Sequence, residues 1–365
     1  MSSHKIVVFG GDHCGPEVTA EALKVLKSIE TSVSDIKFEI IEHLLGGASI
    51  DAKGVAITDE VVTAATSADA VLLGAIGGPK WEKSEHLGLG LLELRKAMGA
   101  YANVRPCNFN SKELVQYSSL KAEVCAGVDF TVVRELTGGI YFGARKEDDG
   151  DGTAWDTEIY SREEIERVTR FAAQLCLRSD PPLPLFSLDK ANVLATSRLW
   201  RKVVTKVMDN EFPTIKYTHQ LIDSAAMLMV KSPMALNGVI VTSNLFGDII
   251  TDEASVICGG LGMMPSASLS GIPDGRSKMK GLYEPIHGSA PDISGTGAVN
   301  PLATILSVAM MLRYSLDQPS LAAAVEEAVK ITIEQGVRTK DIGGTAKTSE
   351  VGDAVANNLT KILKG

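Results

Sequence analysis

Along the first hundred residues, short apolar runs alternate with stretches whose apolar positions recur every three or four: "KIVVFG", "EVTAEALKVLKSIE", "KFEIIEHL", "TDEVVTAATSA", then "DAVLLGAIGG". The short β-branched runs read as strands and the longer periodic stretches as amphipathic helices. Their alternation predicts an α/β fold, a parallel or mixed sheet covered by helices. The pattern continues through a strand at "DFTVVREL", a helix at "SREEIERVTRFAAQLCLR", a strand at "LPLFSLDK" and a helix at "SRLWRKVVTKVMDN". Between the first two, "KEDDGDGTAWD" is charged and Gly-rich and reads as a solvated connection. From about residue 258 a Gly- and Ser-rich stretch leads to two further helices, "NPLATILSVAMMLRYSL" and "LAAAVEEAVKITIEQG".

At 365 residues the chain is longer than one hydrophobic core usually serves, which predicts two lobes. A net charge of -9 leaves no global field for nucleic acid or an anionic membrane, so an anionic ligand would have to be held by local arginines. Five scattered cysteines without a C-x-x-C pair suggest neither a disulfide framework nor a zinc knuckle, and point to a reducing compartment. With no apolar signal core before "KIVVFGGDHCGPEV" and no run long enough to span a bilayer, the reading is cytoplasmic.

Candidate chemistry gathers in a few segments. In "NLFGDIITDEAS", Asp248 and Asp252 are four apart, so a helix would project both carboxylates from one face, as a hard divalent cation needs. Spacing alone favours a solvated acidic face. Asp223 in "HQLIDSAAM" is a third candidate, flanked by apolar residues that would bury it unless a positive group compensates. Arg95, Arg105 and Arg134 lie in "LLELRK", "ANVRPC" and "VVREL"; an arginine at the end of a buried strand needs an anion, whether a structural carboxylate or a ligand. Tyr141 in "GGIYFG" and Lys190 in "SLDKANVL" could serve as an acid/base pair if the fold joins them. The stretch "YEPIHGSAPDISGTGAVNP" reads as a loop open to close ligand approach, ahead of a helix start. No G-x-G-x-x-G follows the first strand, so a dinucleotide site here would not be of the Rossmann type.

Together, "GDHCGPEV", "HLLGGASID", "LLGAIGGPKW", "NVRPC", "RELTGGIYFG", "DKANVL", "LIDSAAM", "SNLFGDIITDEAS" and "EPIHGSAPDI" resemble, in order and over nearly the whole chain, the isopropylmalate dehydrogenases of the β-decarboxylating dehydrogenase family. The resemblance implies a two-domain fold with a large mixed sheet: residues 1–105 and 258–365 as the cofactor-binding domain, 106–257 as the dimerisation, metal and substrate domain. It implies NAD-dependent oxidative decarboxylation of a 3-substituted malate, by default 3-isopropylmalate, in a homodimer with shared sites. Arg95, Arg105 and Arg134 would grip the carboxylates. Asp248 and Asp252, with Asp223 of the other chain, would bind Mg²⁺ or Mn²⁺ and, in the case of Asp223, also face substrate. Tyr141 and a partner lysine equivalent to Lys190 would move protons. Glu284, His287, Gly288, Ser289, Ala290, Asp292 and Asn300 would line the NAD site, the acid at Asp292 favouring NAD over NADP.

One segment departs from the family pattern. In "WEKSEHLGLGLLELRK", Leu91 and Leu92 fit the apolar wall for an isopropyl group, but Gly88 stands where the family has glutamate. The loss of that side chain implies a wider pocket, where each extra buried methylene is worth about 0.8 kcal/mol. A bulkier substrate such as 3-benzylmalate is therefore an alternative, as is a remodelled loop that refills the gap or a catalytically idle paralogue. Cys258 and Gly260 also depart from the usual Pro and Ser, in a loop expected beside the cofactor.

Overall fold

The computed structural model describes residues 2–81, 87–272 and 279–365, and for 87–89 the backbone alone. Its strands are β1 (Ser2–Gly11), β2 (Ile36–His43), β3 (Ala70–Ala75), β4 (Ala102–Asn108), β5 (Asp129–Glu135), β6 (Arg145–Lys146), β7 (Trp155–Asp156), β8 (Leu185–Asp189), β9 (Tyr217–Leu221), β10 (Gly238–Thr242), β11 (Pro265–Leu269) and β12 (Gly281–Pro285). Its helices are α1 (Gly15–Ser32), α2 (Gly47–Lys53), α3 (Asp59–Ser67), α4 (Leu87–Ala97), α5 (Ala122–Cys125), α6 (Arg162–Cys176), α7 (Ala195–Glu211), α8 (Ile222–Lys231), α9 (Asn244–Ile257), α10 (Leu302–Tyr314), α11 (Pro319–Glu334) and α12 (Thr348–Lys364).

Ten strands make one mixed sheet in the order β2-β1-β3-β12-β11-β4-β5-β10-β8-β9. The outer pairs are parallel, whereas β11 runs antiparallel to both β12 and β4, and β4 antiparallel to β5. Helices cover both faces, so the central strands are nearly continuous apolar runs. In β1, Ile6 and Val8 enter one core with α1, α10, α11 and α12, while Val7 and Phe9 enter another with α3 and α4. In β5, Val133 faces the α6–α7 side, while Phe130 and Val132 face α8 and α9. That period of two decides which strand residues reach the site.

Three expectations change. The "YEPIHGSAPDISGTGAVNP" segment is not loop throughout, because Tyr283, Glu284 and Pro285 end strand β12, whose Gly-flanked start hid it in a Gly- and Ser-rich stretch. The "KEDDGDGTAWD" connection is more ordered than its composition implied. Its flanks pair as the β6–β7 ribbon, with Asp148 accepting from the amides of Gly150 and Gly152. Asp223 is not buried in the single chain: its side chain is 62% exposed at the first turn of α8, where the apolar neighbours turn inward and the carboxylate does not. Among the described residues no helix is long and apolar enough to cross a membrane.

Candidate active site

Strand alternation puts Asn103 and Arg105 of β4, Arg134 of β5 and Glu284 of β12 on the face covered by α4 and α9. Arg95, on the last turns of α4, donates from Nη2 to Glu284 Oε1 at 2.5 Å. Its Nε is buried without a partner. Arg134 donates from Nη1 to Asp248 Oδ1 at 2.5 Å and from Nε and Nη2 to Asn244 Oδ1 at 3.0 and 2.8 Å. Arg105 meets only neutral acceptors among the described residues, Asn103 Oδ1 at 2.8 Å and Thr251 Oγ1 at 2.6 Å. Asn103 in turn donates to Ser266 and Ser268, which orients its carbonyl toward Arg105. Gly247 lets α9 settle on this cluster, since a Cβ there would lie 2.6 Å from Arg134 Cγ.

All three guanidiniums are buried, with exposures of 4 to 8% (Arg134 4%, Arg105 6%, Arg95 8%). Burial, together with repulsion from Arg134 and Arg95, brings Arg105 down to about 10, and burial likewise lowers Arg134 against the pull of Asp248. Arg95 and Arg134 each pair with a carboxylate, whereas Arg105 has no ion-pair partner among the described residues and feels Asp252 only at longer range. A dianionic ligand would supply what is missing.

Tyr141, on the loop after β5, donates to Asp248 Oδ2 at 2.8 Å, and the Arg134 guanidinium lies 5.9 Å from its ring centre. Burial would raise the Asp248 carboxyl, but Arg134, the Tyr141 hydroxyl and the charges of Arg105 and Arg95 together hold it below its usual range. The Tyr141 phenol moves the other way, pushed up to about 12 by burial and by its anionic neighbour. Folded-state protonation is thus tighter than in an unfolded chain: Tyr141's contribution to stability is complete below about pH 10 and is lost as the pH rises through about 12. The difference in phenolate absorbance between wild type and Tyr141→Phe should therefore stay flat at about pH 10, where a free tyrosine is half ionised.

Asp248 and Asp252 do share one turn of α9, as the spacing predicted. Asp252 opens to solvent in the single chain, yet desolvation by the surrounding protein raises its carboxyl more than Arg105 lowers it. A carboxyl in that state favours an added cation, so the pair fits a divalent metal. The third aspartate stands apart: Asp223 accepts from Lys190 Nζ at 2.8 Å, and that hydrogen bond holds its carboxyl low. Within one chain the described residues bring Arg95, Arg105, Arg134, Tyr141, Asp248 and Glu284 into one network and Lys190 with Asp223 into another. No hydrogen bond or ion pair among the described residues joins the two.

The loop from Ile286 to Asn300 packs on the turn after β1. Cys14 N–H donates to Ser289 O, Ser289 Oγ donates to Gly77 O at 2.8 Å, and Ala290 adopts a positive φ of 41°. Burial lowers the His287 imidazole, its Nε2 is buried with no partner among the described residues, and the space around Gly288 is open. Those features, an orphaned imidazole nitrogen and an open glycine backbone, fit a nucleotide laid along the loop. Asp292 is exposed, whereas Asn300 turns inward to Asp341 and to the start of α10. The Cys258 and Gly260 departures have a local account. Cys258 Sγ packs 3.1 Å from Cys107 Sγ, and Gly260 has a φ of 118° that suits glycine. The neighbouring Met263 touches Asn300. A cavity of about 400 Å³ beside Cys258 is lined from β4 by Val104, Pro106 and Asn108, the residues that alternate with Arg105, so it opens away from the arginines. Of the apolar wall, Leu91 and Leu92 are half-buried beside Arg95, while the side chain position of Gly88 lies outside the described residues.

A sequence model described as isocitrate/isopropylmalate dehydrogenase matches residues 5–355. The chain belongs to the isocitrate/isopropylmalate dehydrogenase family. Within the family it is 67% identical to a 3-isopropylmalate dehydrogenase of Zymoseptoria tritici over 365 residues, all of both chains. It is 59% identical to the 3-isopropylmalate dehydrogenase of Saccharomyces cerevisiae over 98% of each. An isocitrate dehydrogenase from Methylococcus capsulatus superimposes with a TM-score of 0.84 at 28% identity, covering 98% of this chain and 99% of that one. Reading by motif passed over Asn103, Asn244 and Thr251, which seat the arginines. The available signal was positional: Asn103 lies two before Arg105 on a strand, and Asn244 and Thr251 bracket Asp248 at helical spacing.

Proposed function

We propose that the protein oxidatively decarboxylates 3-isopropylmalate, with NAD and Mg²⁺ or Mn²⁺, to a 2-oxo acid one carbon shorter. The observation that carries this reading is the buried triad of guanidiniums, of which Arg105 has no ion-pair partner among the described residues, which suits a malate bearing two carboxylates. Arg95, Arg105 and Arg134 bind and orient those carboxylates. Asp248 and Asp252, with Asp223 of a second copy, would hold the cation, which when bound supplies Lewis-acid polarisation of the C2 oxygen. Glu284, His287, Gly288, Ser289, Ala290, Asp292 and Asn300 would hold NAD, which when bound supplies the hydride acceptor. Lys190 of the second copy takes the C2 hydroxyl proton. Tyr141, kept protonated far above neutral pH, delivers a proton to the carbon that loses CO₂. Leu91 and Leu92 flank the isopropyl group.

The shared site is supported by an unpartnered apolar surface. Met227 and Val230 on α8, Met234 just after it, and Ile249 and Val256 on α9 are all more than 40% exposed, at spacings that align them along adjacent helices. A second copy covering that stripe would lie next to the helices that carry Asp223, Asp248 and Asp252. In the same reading, residues 1–105 with 258–365 form one lobe and 106–257 the other, meeting along β4, which pairs with β11 on one side and β5 on the other.

The test follows NADH release by the purified protein with Mn²⁺, given racemic 3-isopropylmalate and 3-benzylmalate in parallel. A clear preference for isopropylmalate, abolished by excess EDTA and restored by Mn²⁺, is expected. Preference for benzylmalate would move the reading to a bulkier substrate, and turnover of neither would sink it.

A further inference from the structure

Asn244 has no part in the reading above, yet it ties Arg134 to the turn that leads to Tyr141. It is completely buried, and every polar group of its side chain is used. Its Oδ1 accepts from both Nε and Nη2 of Arg134. Its Nδ2 donates to Leu136 O at 3.2 Å and Gly138 O at 2.9 Å, the carbonyls of the turn that leads to Tyr141. The amides of that turn are held from the other side, where Thr137 N and Gly138 N donate to the buried Glu135 carboxylate. Asn244 N–H donates to the Tyr160 hydroxyl at 2.8 Å, and the Tyr160 ring packs edge-on against Trp200.

Resting on the proposed reaction, we infer that Asn244 is a positioning residue that sets Arg134 and Tyr141 together. An amide is the only neutral side chain group that can accept the guanidinium edge and donate to two carbonyls at once. By taking Nε and Nη2 without adding charge, it holds the guanidinium with Nη1 on Asp248 and does not neutralise Arg134 further. Fixing the 136–138 turn at the same time places the Tyr141 hydroxyl on Asp248. One residue therefore couples substrate grip to proton delivery, and its loss should lower both.

The experiment compares wild type with Asn244→Ala and Asn244→Ser, measuring kcat, KM for 3-isopropylmalate, KM for NAD, and Tm. The expected signature is a KM for 3-isopropylmalate raised about tenfold and a kcat lowered about tenfold, with KM for NAD within threefold, since substrate grip and proton delivery are each loosened and the nucleotide loop is not. Variants that melt earlier but keep both substrate KM and kcat within twofold would show a purely structural role and overturn the inference. Tyr160→Phe guards against variants that fail to fold: removing only the hydroxyl that receives Asn244 N–H should give the same signature at smaller amplitude, and unchanged constants there count against it. The two readings fail separately. A wild type that releases no NADH defeats the functional reading, while calorimetric binding of malate, expected to weaken about tenfold in Asn244→Ala, still judges Asn244.

Discussion

Arg134→Ala should be the most damaging single substitution, lowering kcat/KM for 3-isopropylmalate by about 10²- to 10⁴-fold. The figure follows from removing two charge-assisted hydrogen bonds to a carboxylate, each worth about 1.5–3 kcal/mol. The loss is compounded inside the protein, because Asp248 and Asn244 both lose their partner and one of the three positive charges that invite the substrate disappears. Arg134→Lys should recover little: an ammonium is a point charge that cannot face Asp248 and Asn244 at once. Steady-state kinetics alongside urea unfolding would separate lost catalysis from lost stability. A kcat/KM within tenfold of wild type in Arg134→Ala would show that the guanidinium is a structural ion pair and no more.

The second large effect is a gain. Arg134→Ala and Lys190→Ala should each be inactive alone, yet mixing, unfolding and refolding them together should restore about a quarter of wild-type activity, because a two-fold dimer pairs each site's arginine with the other chain's lysine. Random pairing makes half the dimers mixed, and each mixed dimer has one site with neither lesion. The single chain is consistent with this arrangement, since Lys190 and Asp223 form a network apart from the arginines. Activity that stays at the background of the two parents would show that each chain builds its site alone.

Much of the architecture was legible because the sheet is buried on both faces. "KIVVFG", "DFTVVREL" and "DAVLLGAIGG" are the continuous apolar runs that such strands require, and each became a strand. Strands β11 and β12 were less visible because "MPSASL" and "GLYEP" are short and rich in Ser, Pro and Gly, and take their place from neighbours on either side. At the site, the arginines and aspartates announced themselves as charges in apolar surroundings. The partners that tame them did not. Glu284, read toward the cofactor, also pairs with Arg95, and Asn103 and Asn244 are neutral residues whose work depends on which way a strand or helix turns them. The exposure of Asp223 could not be read from its apolar flanks, because a helix start points successive residues in different directions.

The strand order also bears on how the chain is made. Strand β3 ends at residue 75, but its sheet neighbour β12 begins at residue 281, so one edge of β3 stays open while the intervening segment is translated. At roughly 5–20 residues per second that interval lasts about 10 to 40 s. Strand β4 waits in the same way for β11, and ribosome-bound chains ending before β12 expose two unpaired edges of mostly apolar residues. The interleaved strand order thus leaves the half-synthesised protein with edges open to mispairing until its last strands emerge.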